Sequence, residues 1–467
     1  MVTLKESQDL VRGLKDRHIQ MIALGGAIGT GLFYGSAEAI KLAGPGIILA
    51  YVIGGLIMFL IMRALGEMLV EEPVSGAFSA LADKYWGNFP GFLLGWNYWF
   101  AIITVSIVEL IVLGNYVKFW LPNMPTWITA LVFVIVFFLI NITNVKFFGE
   151  FEFWAALIKV VAIIAMIIFG LGILFFGVGA SNFKASGFEN MWINGGFLPN
   201  GGSGLLMSLV LAMFAFGGIE MVGMTAAEAE NHRITLPKSI NNVVIRILVF
   251  YIGSMVVLVS LFPWNKVGLE GSPFVQIFSA IGIPAAATLL NVVVITAAAS
   301  AYNSAIYSTS RMIYGLSLQG NAPKIFNKVG KTGTPVKSII LCSTISLFGI
   351  LLLKFLPDKA FMYMMSITTF ASIFNWIMIL FILLHWRKKK SKEEITKFTF
   401  KMPLYPYSIY FSIVGLLVII ATMFFLPDYR IALYIGPFWI ILLFVLFKIR
   451  AKRDVGTGTS SHPSILE

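Results

Sequence analysis

Hydrophobic residues fill this chain in long uninterrupted stretches, and charged residues cluster between those stretches. About 20 apolar residues in an α-helix are enough to cross the hydrocarbon core of a bilayer. Stretches of this length recur from one end of the chain to the other, which predicts an all-α polytopic membrane protein. Twelve spans are predicted, at residues 19–40, 44–69, 90–118, 126–144, 151–177, 204–227, 240–262, 284–316, 337–356, 361–386, 405–426 and 431–449.

The composition agrees with a membrane protein and excludes several other classes. Of the 467 residues, 58% are hydrophobic and only 12% are charged, which is about half the charged fraction of a typical soluble domain. The net charge of +12 does not indicate nucleic-acid binding, because the basic residues lie at the ends of spans rather than in one patch. Cys342 is the only cysteine, so a disulfide within the chain and a cysteine metal cluster are both excluded.

The distribution of Lys and Arg predicts how the spans are oriented. Both terminal segments and the connections after even-numbered spans are rich in basic residues, whereas connections after odd-numbered spans carry few. Basic connections stay on the cytoplasmic side, so both termini are predicted to be cytoplasmic. The predicted segments are a tail (1–18), spans 1–5 (19–177), an outer connection (178–203), spans 6–10 (204–386), a cytoplasmic connection (387–404), spans 11 and 12 (405–450) and a second tail (451–467).

Two spans contain glycine-rich interruptions that predict broken helices. Residues 24–35 of span 1 include five glycines, and span 6 carries Phe214-Ala-Phe-Gly-Gly-Ile-Glu220. A break within lipid survives only where the released backbone groups are buried or line a cavity, and its free amides can hold an anion. Gly25 and Gly29 also form a small-xxx-small pair, so close helix packing is the alternative for span 1. Because the two breaks lie five spans apart, an inverted repeat with a binding site between the breaks is predicted.

Three ionisable residues stand out inside predicted spans, where a charge is costly and a functional role is therefore the first hypothesis. Lys159 lies in span 5. Its ammonium could lose and regain a proton during a transport cycle, or its side chain could extend to the membrane surface. Glu220 closes the span 6 break, either with a mechanistic role or as an anchor for the broken backbone. Glu109 in span 3 shares a helix face with Ile102 and Ser106 and faces either a cavity or a polar partner.

A polar stripe in span 8 includes Ser300, Asn303 and Ser304 at helical spacing. This face must look into the protein, as part of a pathway or as hydrogen-bonding contacts between helices. The four histidines lie at or outside the span ends without metal-ligand spacing, and no phosphate-binding glycine loop precedes a Lys-Ser/Thr pair. The sequence therefore predicts no enzyme, no metal and no cofactor, and an ion gradient as the source of energy.

The chain resembles the amino-acid permeases of the amino acid–polyamine–organocation superfamily, in the bacterial amino-acid transporter branch. The resemblance rests on motifs along nearly the whole chain, at residues 12–19, 25–33, 43–46, 62–68, 72–76, 149–154 with Lys159, 226–231, 263–264, 310–315 and 319–323. Within that branch it is most similar to aromatic-amino-acid and phenylalanine permeases. That similarity rests on Gly95-Trp-Asn-Tyr-Trp99, Phe119-Trp120, Phe214-Ala-Phe-Gly-Gly218 and Tyr302-Asn-Ser304. Ala215 departs from the serine associated with that subgroup.

The resemblance implies the leucine-transporter-like fold, with a five-plus-five inverted repeat, broken helices 1 and 6 and two extra helices. It implies that the substrate carboxylate meets Gly29, Thr30 and Gly31. The ammonium would meet carbonyls of Phe214, Ala215 and Gly217. Ile102 and Ser106 would line the side-chain pocket, and Phe214 could act as a gate.

Lys159 would, by the same resemblance, replace the sodium ion of sodium-coupled relatives. The function expected is proton-coupled import of a neutral, aromatic L-amino acid across a bacterial inner membrane. The expected partners are the amino-acid substrate, protons and membrane lipid, and no nucleic acid. An exchanger, a permease for proline, histidine, lysine or GABA, and an amino-acid-binding nutrient sensor are the alternatives. Phe374 and Trp376 of span 10 are predicted to face lipid or neighbouring helices.

Overall fold

The predicted apolar stretches form helices in the computed structural model, which describes residues 29–74, 77–143, 145–177, 187–221, 232–267, 274, 285–330, 333–356 and 359–456. Within these ranges the chain is all-α, in agreement with the predicted fold class. The helices are α1 (Thr30–Phe33), α2 (Gly35–Ala43), α3 (Ile47–Glu71), α4 (Ala77–Tyr85), α5 (Asn88–Val117), α6 (Thr126–Thr143), α7 (Val145–Phe176), α8 (Gly201–Ala215), α9 (His232–Leu261), α10 (Ala286–Leu318), α11 (Val336–Phe355), α12 (Ala360–Lys388), α13 (Lys392–Lys397), α14 (Tyr407–Thr422) and α15 (Arg430–Gly456).

Nine stretches of helix in the described ranges are long and apolar enough to cross a membrane, judged by length and composition. One of them, Gly35–Glu71, contains both α2 and α3, and two shorter apolar helices are Gly201–Ala215 and Leu248–Leu261. The predicted tail 1–18 and most of the tail 451–467 lie outside the described residues. Residues 178–186 of the outer connection 178–203 lie outside them as well.

The turn between α2 and α3 lies at the start of the second predicted span, 44–69. Gly44 has φ +57° there, and a short 3-10 helix covers Gly44–Gly46. A Cβ atom built at Gly44 would lie 2.5 Å from Cγ of Pro199, so a larger residue would collide with the segment before α8. The positive φ and this close approach both require glycine.

The long helix α5 lies at the centre of the structure. It packs against α10 and α12 and also against α4, α6 and α11. In its most apolar 18-residue stretch 78% of residues are buried, compared with 17% in α15. Apolar side chains that stay exposed on a helix such as α15 suit contact with lipid tails.

At one end of the helical bundle, a buried ion pair joins α3 and α12. Arg387 donates from Nε and Nη2 to the two carboxylate oxygens of Glu67, both at 2.7 Å. The backbone N–H of Met402 donates to the same carboxylate, also at 2.7 Å. The Arg387 guanidinium lies over the ring of Tyr405, 3.8 Å from its centroid. Two helices and the connection that follows them are therefore joined by one carboxylate.

A second carboxylate at this end, Glu72, lies just after α3. It accepts hydrogen bonds from Lys84 and Tyr85 of α4 and from Trp386 Nε1 of α12, the last at 3.4 Å. Partial burial acts to raise the pKa of Glu72, but the hydrogen bonds from Lys84, Tyr85 and Trp386 and the positive charge of Lys84 together outweigh it and hold that pKa below its usual value. Glu72 therefore stays ionised at neutral pH and ties α4 to α12.

Removing the Glu67 carboxylate is expected to destabilise the fold strongly. The Glu67→Ala variant leaves a buried guanidinium and a backbone N–H without their acceptor, and losing one partner of a buried pair costs about 3–5 kcal/mol. The measurement is the apparent melting temperature in detergent. The matched control is Glu38→Ala, because Glu38 pairs with Lys41 at 3.3 Å with about two-fifths of each side chain exposed, and such surface pairs contribute at most about 1 kcal/mol. Equal shifts in the two variants would contradict the role of the buried pair.

Candidate functional site

The described part of the span 1 interruption is an extended residue followed by a single helical turn. Gly29 is extended (φ −116°, ψ −163°), α1 spans only Thr30–Phe33, and the next helix starts at Gly35. Residues 24–28 of the predicted break lie outside the described part of the chain. At the start of a helix the first N–H groups have no intrahelical partner, so this turn offers donors.

The span 6 interruption follows the end of α8 at Ala215. Instead of continuing as a helix, the chain forms turns, with Gly217 N donating to Phe214 O at 3.0 Å and Met221 N donating to Gly218 O at 3.1 Å. Gly218 has φ +91°, a conformation that favours glycine. Carbonyl groups at the end of α8 consequently do not accept the usual helical hydrogen bond from the residue four positions later.

The two interruptions touch each other. A Cβ atom built at Gly31 would lie 2.7 Å from Cα of Ala215, closer than real Cβ atoms come to backbone. Gly31 therefore has to lack a side chain for the first helical turn to lie against the end of α8. The sequence predicted both interruptions, and the structure brings them into direct contact.

A small cavity of about 60 Å³ lies where these segments meet. Nine of the residues proposed from the sequence line it, namely Gly29, Thr30, Gly31, Ile102, Glu109, Phe214, Ala215, Gly217 and Ser304. The other six lining residues were not among the site residues proposed from the sequence, although Gly218 belongs to the predicted span 6 interruption. They are Val105, Gly218, Met221, Ala301, Ala305 and Thr368.

The structure places Ser106 away from this cavity, contrary to the position expected for it. Its hydroxyl donates to the carbonyl of Ile103 at 2.7 Å and lies 3.2 Å from the hydroxyl of Ser346 in α11. The cavity wall from α5 consists of Ile102, Val105 and Glu109, at spacings of three and four residues. Ser106 lies at the edge of that face, where its hydroxyl pairs with Ser346 of α11 instead of facing the cavity.

Glu109 faces the cavity and a polar partner at once, so the two alternatives for this residue are not exclusive. It is 2% exposed, and Thr30 Oγ1 donates to its Oε1 atom at 3.0 Å. Its other oxygen, Oε2, has no hydrogen-bond partner among the described residues. The carboxylate therefore connects α5 to the first helical turn and keeps one oxygen available.

Lys159 is fully buried, so its side chain does not reach the membrane surface. Its ammonium interacts electrostatically with the carboxylates of Glu152 and Glu109. Glu152 lies two helical turns before Lys159 on α7 and was not identified from the sequence. The seven-residue spacing, which puts both side chains on one helix face, is the signal that could have found it.

Glu152 is held by the polar stripe of span 8. Ser300 Oγ donates to Oε2 of Glu152 at 2.7 Å, and Asn303 Nδ2 donates to Oε1 at 3.1 Å. Asn141 of α6 in turn donates to Asn303 Oδ1 at 2.8 Å. Ser300 and Asn303 thus make interhelical hydrogen bonds, and of the three predicted pathway residues only Ser304 lines the cavity.

Glu220 is buried just beyond the cavity, and Trp376 Nε1 of α12 donates to its Oε2 atom at 3.3 Å. Tyr98 of α5 is fully buried close enough to interact with it electrostatically. Trp376 is fully buried, so it faces the protein interior rather than lipid. The span 6 interruption is therefore connected to α12 through this carboxylate.

The family model described as "Amino acid permease" matches residues 18–456. The chain belongs to this family. It is 49% identical to the aromatic amino acid transport protein AroP of Escherichia coli K12, over 97% of this chain and 98% of that protein. AroP of Salmonella typhimurium LT2 is 47% identical, with the same coverage. An uncharacterized amino acid permease of Bacillus subtilis, YtnA, is 46% identical over 99% of each chain.

Family membership decides several expectations about the permease. It is a multi-pass membrane protein that transports rather than chemically converts its substrate, and the substrate is an amino acid. The predicted resemblance to the superfamily is confirmed, and the predicted absence of enzyme activity agrees with the family.

Adding one methyl group at Gly31 is expected to impair transport by the permease strongly. In the Gly31→Ala variant the new Cβ would collide with the backbone of Ala215, so the two interruptions must separate and the cavity must deform. Uptake of the substrate should fall at least about tenfold, because a barrier increase of 1.4 kcal/mol suffices for that. The measurement is uptake normalised to the amount of protein in the membrane.

The matched control is Gly172→Ala in α7, since a Cβ atom built at Gly172 meets nothing within 4 Å. This variant should transport at the wild-type rate. Equal uptake by the two variants would show that the contact at Gly31 is not needed.

Proposed function

We propose that this permease is a proton-coupled symporter that imports a neutral, aromatic L-amino acid across a bacterial inner membrane by alternating access. The observation that carries the proposal is the cavity between the two helix interruptions in a chain that is 49% identical to proteins named for aromatic amino acid transport. In this proposal the twelve predicted spans form a five-plus-five inverted repeat with two extra helices, and both termini are cytoplasmic.

The substrate is proposed to bind with its carboxylate at Gly29, Thr30 and Gly31 and its ammonium at the carbonyls of Phe214, Ala215 and Gly217. Free N–H groups at a helix start attract a carboxylate, and released carbonyls at a helix end attract a cation. All six residues line one cavity, which supports this arrangement. Ile102, Val105 and Thr368 are the lining residues proposed to contact the substrate side chain.

The size of the cavity supports a mechanism in which its walls move. One water molecule needs about 10–15 Å³ of such volume, so a cavity of about 60 Å³ holds only a few waters. An aromatic amino acid is larger than this, and its entry requires the cavity walls to separate. Alternating access supplies that movement.

Proton coupling is proposed to depend on Lys159 and Glu109, with Glu220 linking the span 6 interruption to α12. The ammonium of Lys159 lies near two carboxylates, and one of them, Glu109, also touches the first helical turn and lines the cavity. When Lys159 or one of the two carboxylates gains or loses a proton, the net charge next to the substrate changes. Such a change can alter the preference for one conformation over another.

The proposed function is tested by uptake of labelled phenylalanine into proteoliposomes, with and without an inward proton gradient. One pH unit stores about 1.4 kcal/mol per proton, so coupling to one proton sustains up to about tenfold accumulation. Excess tyrosine and tryptophan should block this uptake, whereas lysine should not. Rapid counterflow without any dependence on the gradient would establish an exchanger instead. Accumulation of another amino acid, with phenylalanine inert, would overturn the aromatic assignment.

Lys159→Ala is expected to abolish accumulation driven by the proton gradient while leaving binding within about tenfold of wild type, a difference of 1.4 kcal/mol. Removing the ammonium takes away a coupling charge but no group proposed to touch the substrate. Accumulation in proteoliposomes and binding to purified protein are the two measurements. Lys118→Ala, at an exposed position after α5, is the control. Full accumulation by Lys159→Ala would remove this residue from the coupling role.

A further inference from the structure

The end of α8 is held by a tyrosine that lies outside the cavity. Tyr251 of α9 donates a hydrogen bond from its hydroxyl to the backbone carbonyl of Ala215, at 2.7 Å. Ala215 is the last residue of α8, and a carbonyl in that position has lost its intrahelical donor. Tyr251 therefore supplies a donor at the point where the helix stops.

The ring of Tyr251 is fixed in place by two other aromatic side chains. Its centroid lies 5.3 Å from that of Tyr51 on α3 and 5.4 Å from that of Phe216, which directly follows Ala215. Tyr51 and Phe216 also contact each other, with centroids 5.8 Å apart. All three side chains are almost completely buried, so the Tyr251 hydroxyl has little freedom to move.

Ala215 is a sensitive point of the structure. It lines the cavity, and its backbone lies so close to Gly31 that no Cβ fits between them. A shift of a few tenths of an ångström at Ala215 changes the cavity and the contact between the two interruptions together. A hydrogen bond that fixes this peptide group also fixes the carbonyls beside it.

We infer that Tyr251 is a positioning residue for the site that binds the substrate's α-ammonium group. It acts through the Ala215 peptide group and does not touch the substrate. This inference rests on the proposed binding of an amino acid at the span 6 interruption. A carbonyl oxygen can accept two hydrogen bonds, so the bond from Tyr251 leaves the Ala215 carbonyl able to accept a second.

The test is the Tyr251→Phe variant, which removes one hydroxyl and retains the ring in its aromatic cluster. Losing the bond leaves a buried carbonyl without its donor, and the concentration needed for half-maximal uptake should rise about tenfold, the range expected for a lost buried hydrogen bond. The matched control is Tyr51→Phe. It removes a hydroxyl from the same cluster but leaves the bond to Ala215, and it should change the half-maximal concentration less than about twofold.

A second measurement separates positioning of the ammonium subsite from a general loss of structure. Inhibition of uptake is compared for the substrate and for its analogue that lacks the α-amino group, for example phenylalanine and 3-phenylpropionate. The preference for the amino acid should fall about tenfold in Tyr251→Phe and stay unchanged in Tyr51→Phe, because only a subsite for the ammonium distinguishes these ligands. Equal weakening of both ligands, or an unchanged preference in Tyr251→Phe, would overturn the inference.

The substrate in this test is whichever amino acid the wild-type protein accumulates in the competition experiment, paired with its own des-amino analogue. A wrong aromatic assignment is therefore detected in the wild-type protein, and the effect of Tyr251 is still measured. A cooperative melting transition in detergent for Tyr251→Phe and for Tyr51→Phe shows that both variants are folded.

Discussion

No water is present in the hydrocarbon of a bilayer to pair with a backbone group that leaves a helix, and this constraint governs the centre of the permease. Gly29 is extended rather than helical, and α8 ends at Ala215. The backbone groups released after Ala215 form hydrogen bonds inside the protein. The Tyr251 hydroxyl donates to the Ala215 carbonyl, and Gly217 N donates to Phe214 O in a short turn. Gly31 then allows the two interruptions to lie in contact. A cavity lined by residues of both interruptions lies where they meet.

The same constraint applies to the charges buried around Lys159. Each of them needs a partner, because an isolated charge in this environment is costly. Glu152 has both oxygens occupied by Ser300 and Asn303, so its position is fixed by α10. Glu109 has one oxygen bonded to Thr30 and one without a partner among the described residues. The two carboxylates near Lys159 therefore differ in their freedom to bind a further group.

The sequence was sufficient to predict the helical fold and the two interruptions, because apolar length and glycine content are local properties. Lys159, Glu109 and Glu220 were singled out because they are charges within apolar spans, and all three are buried. Glu152, at the start of predicted span 5, was not singled out. The sequence did not predict which side of α5 carries Ser106. Residue spacing alone does not fix the rotation of a helix about its axis to within one residue. In the structure Ser106 lies next to α11, where its hydroxyl pairs with that of Ser346. The partners of Glu152 lie about 150 positions along the chain, where no local pattern connects them.

The Glu67–Arg387 pair has a consequence for how the permease can change shape. It joins the ends of α3 and α12, and Met402 attaches the following connection to the same carboxylate. Separating these ends would expose a fully buried carboxylate and break three hydrogen bonds together. Any rearrangement that keeps the pair intact must carry both helix ends as one rigid corner, with bending confined to other parts of the helices. Among the described residues, Gly29 and the turns after Ala215 lie outside regular helix, so a bend placed there would break fewer helical hydrogen bonds than a bend within α3 or α12.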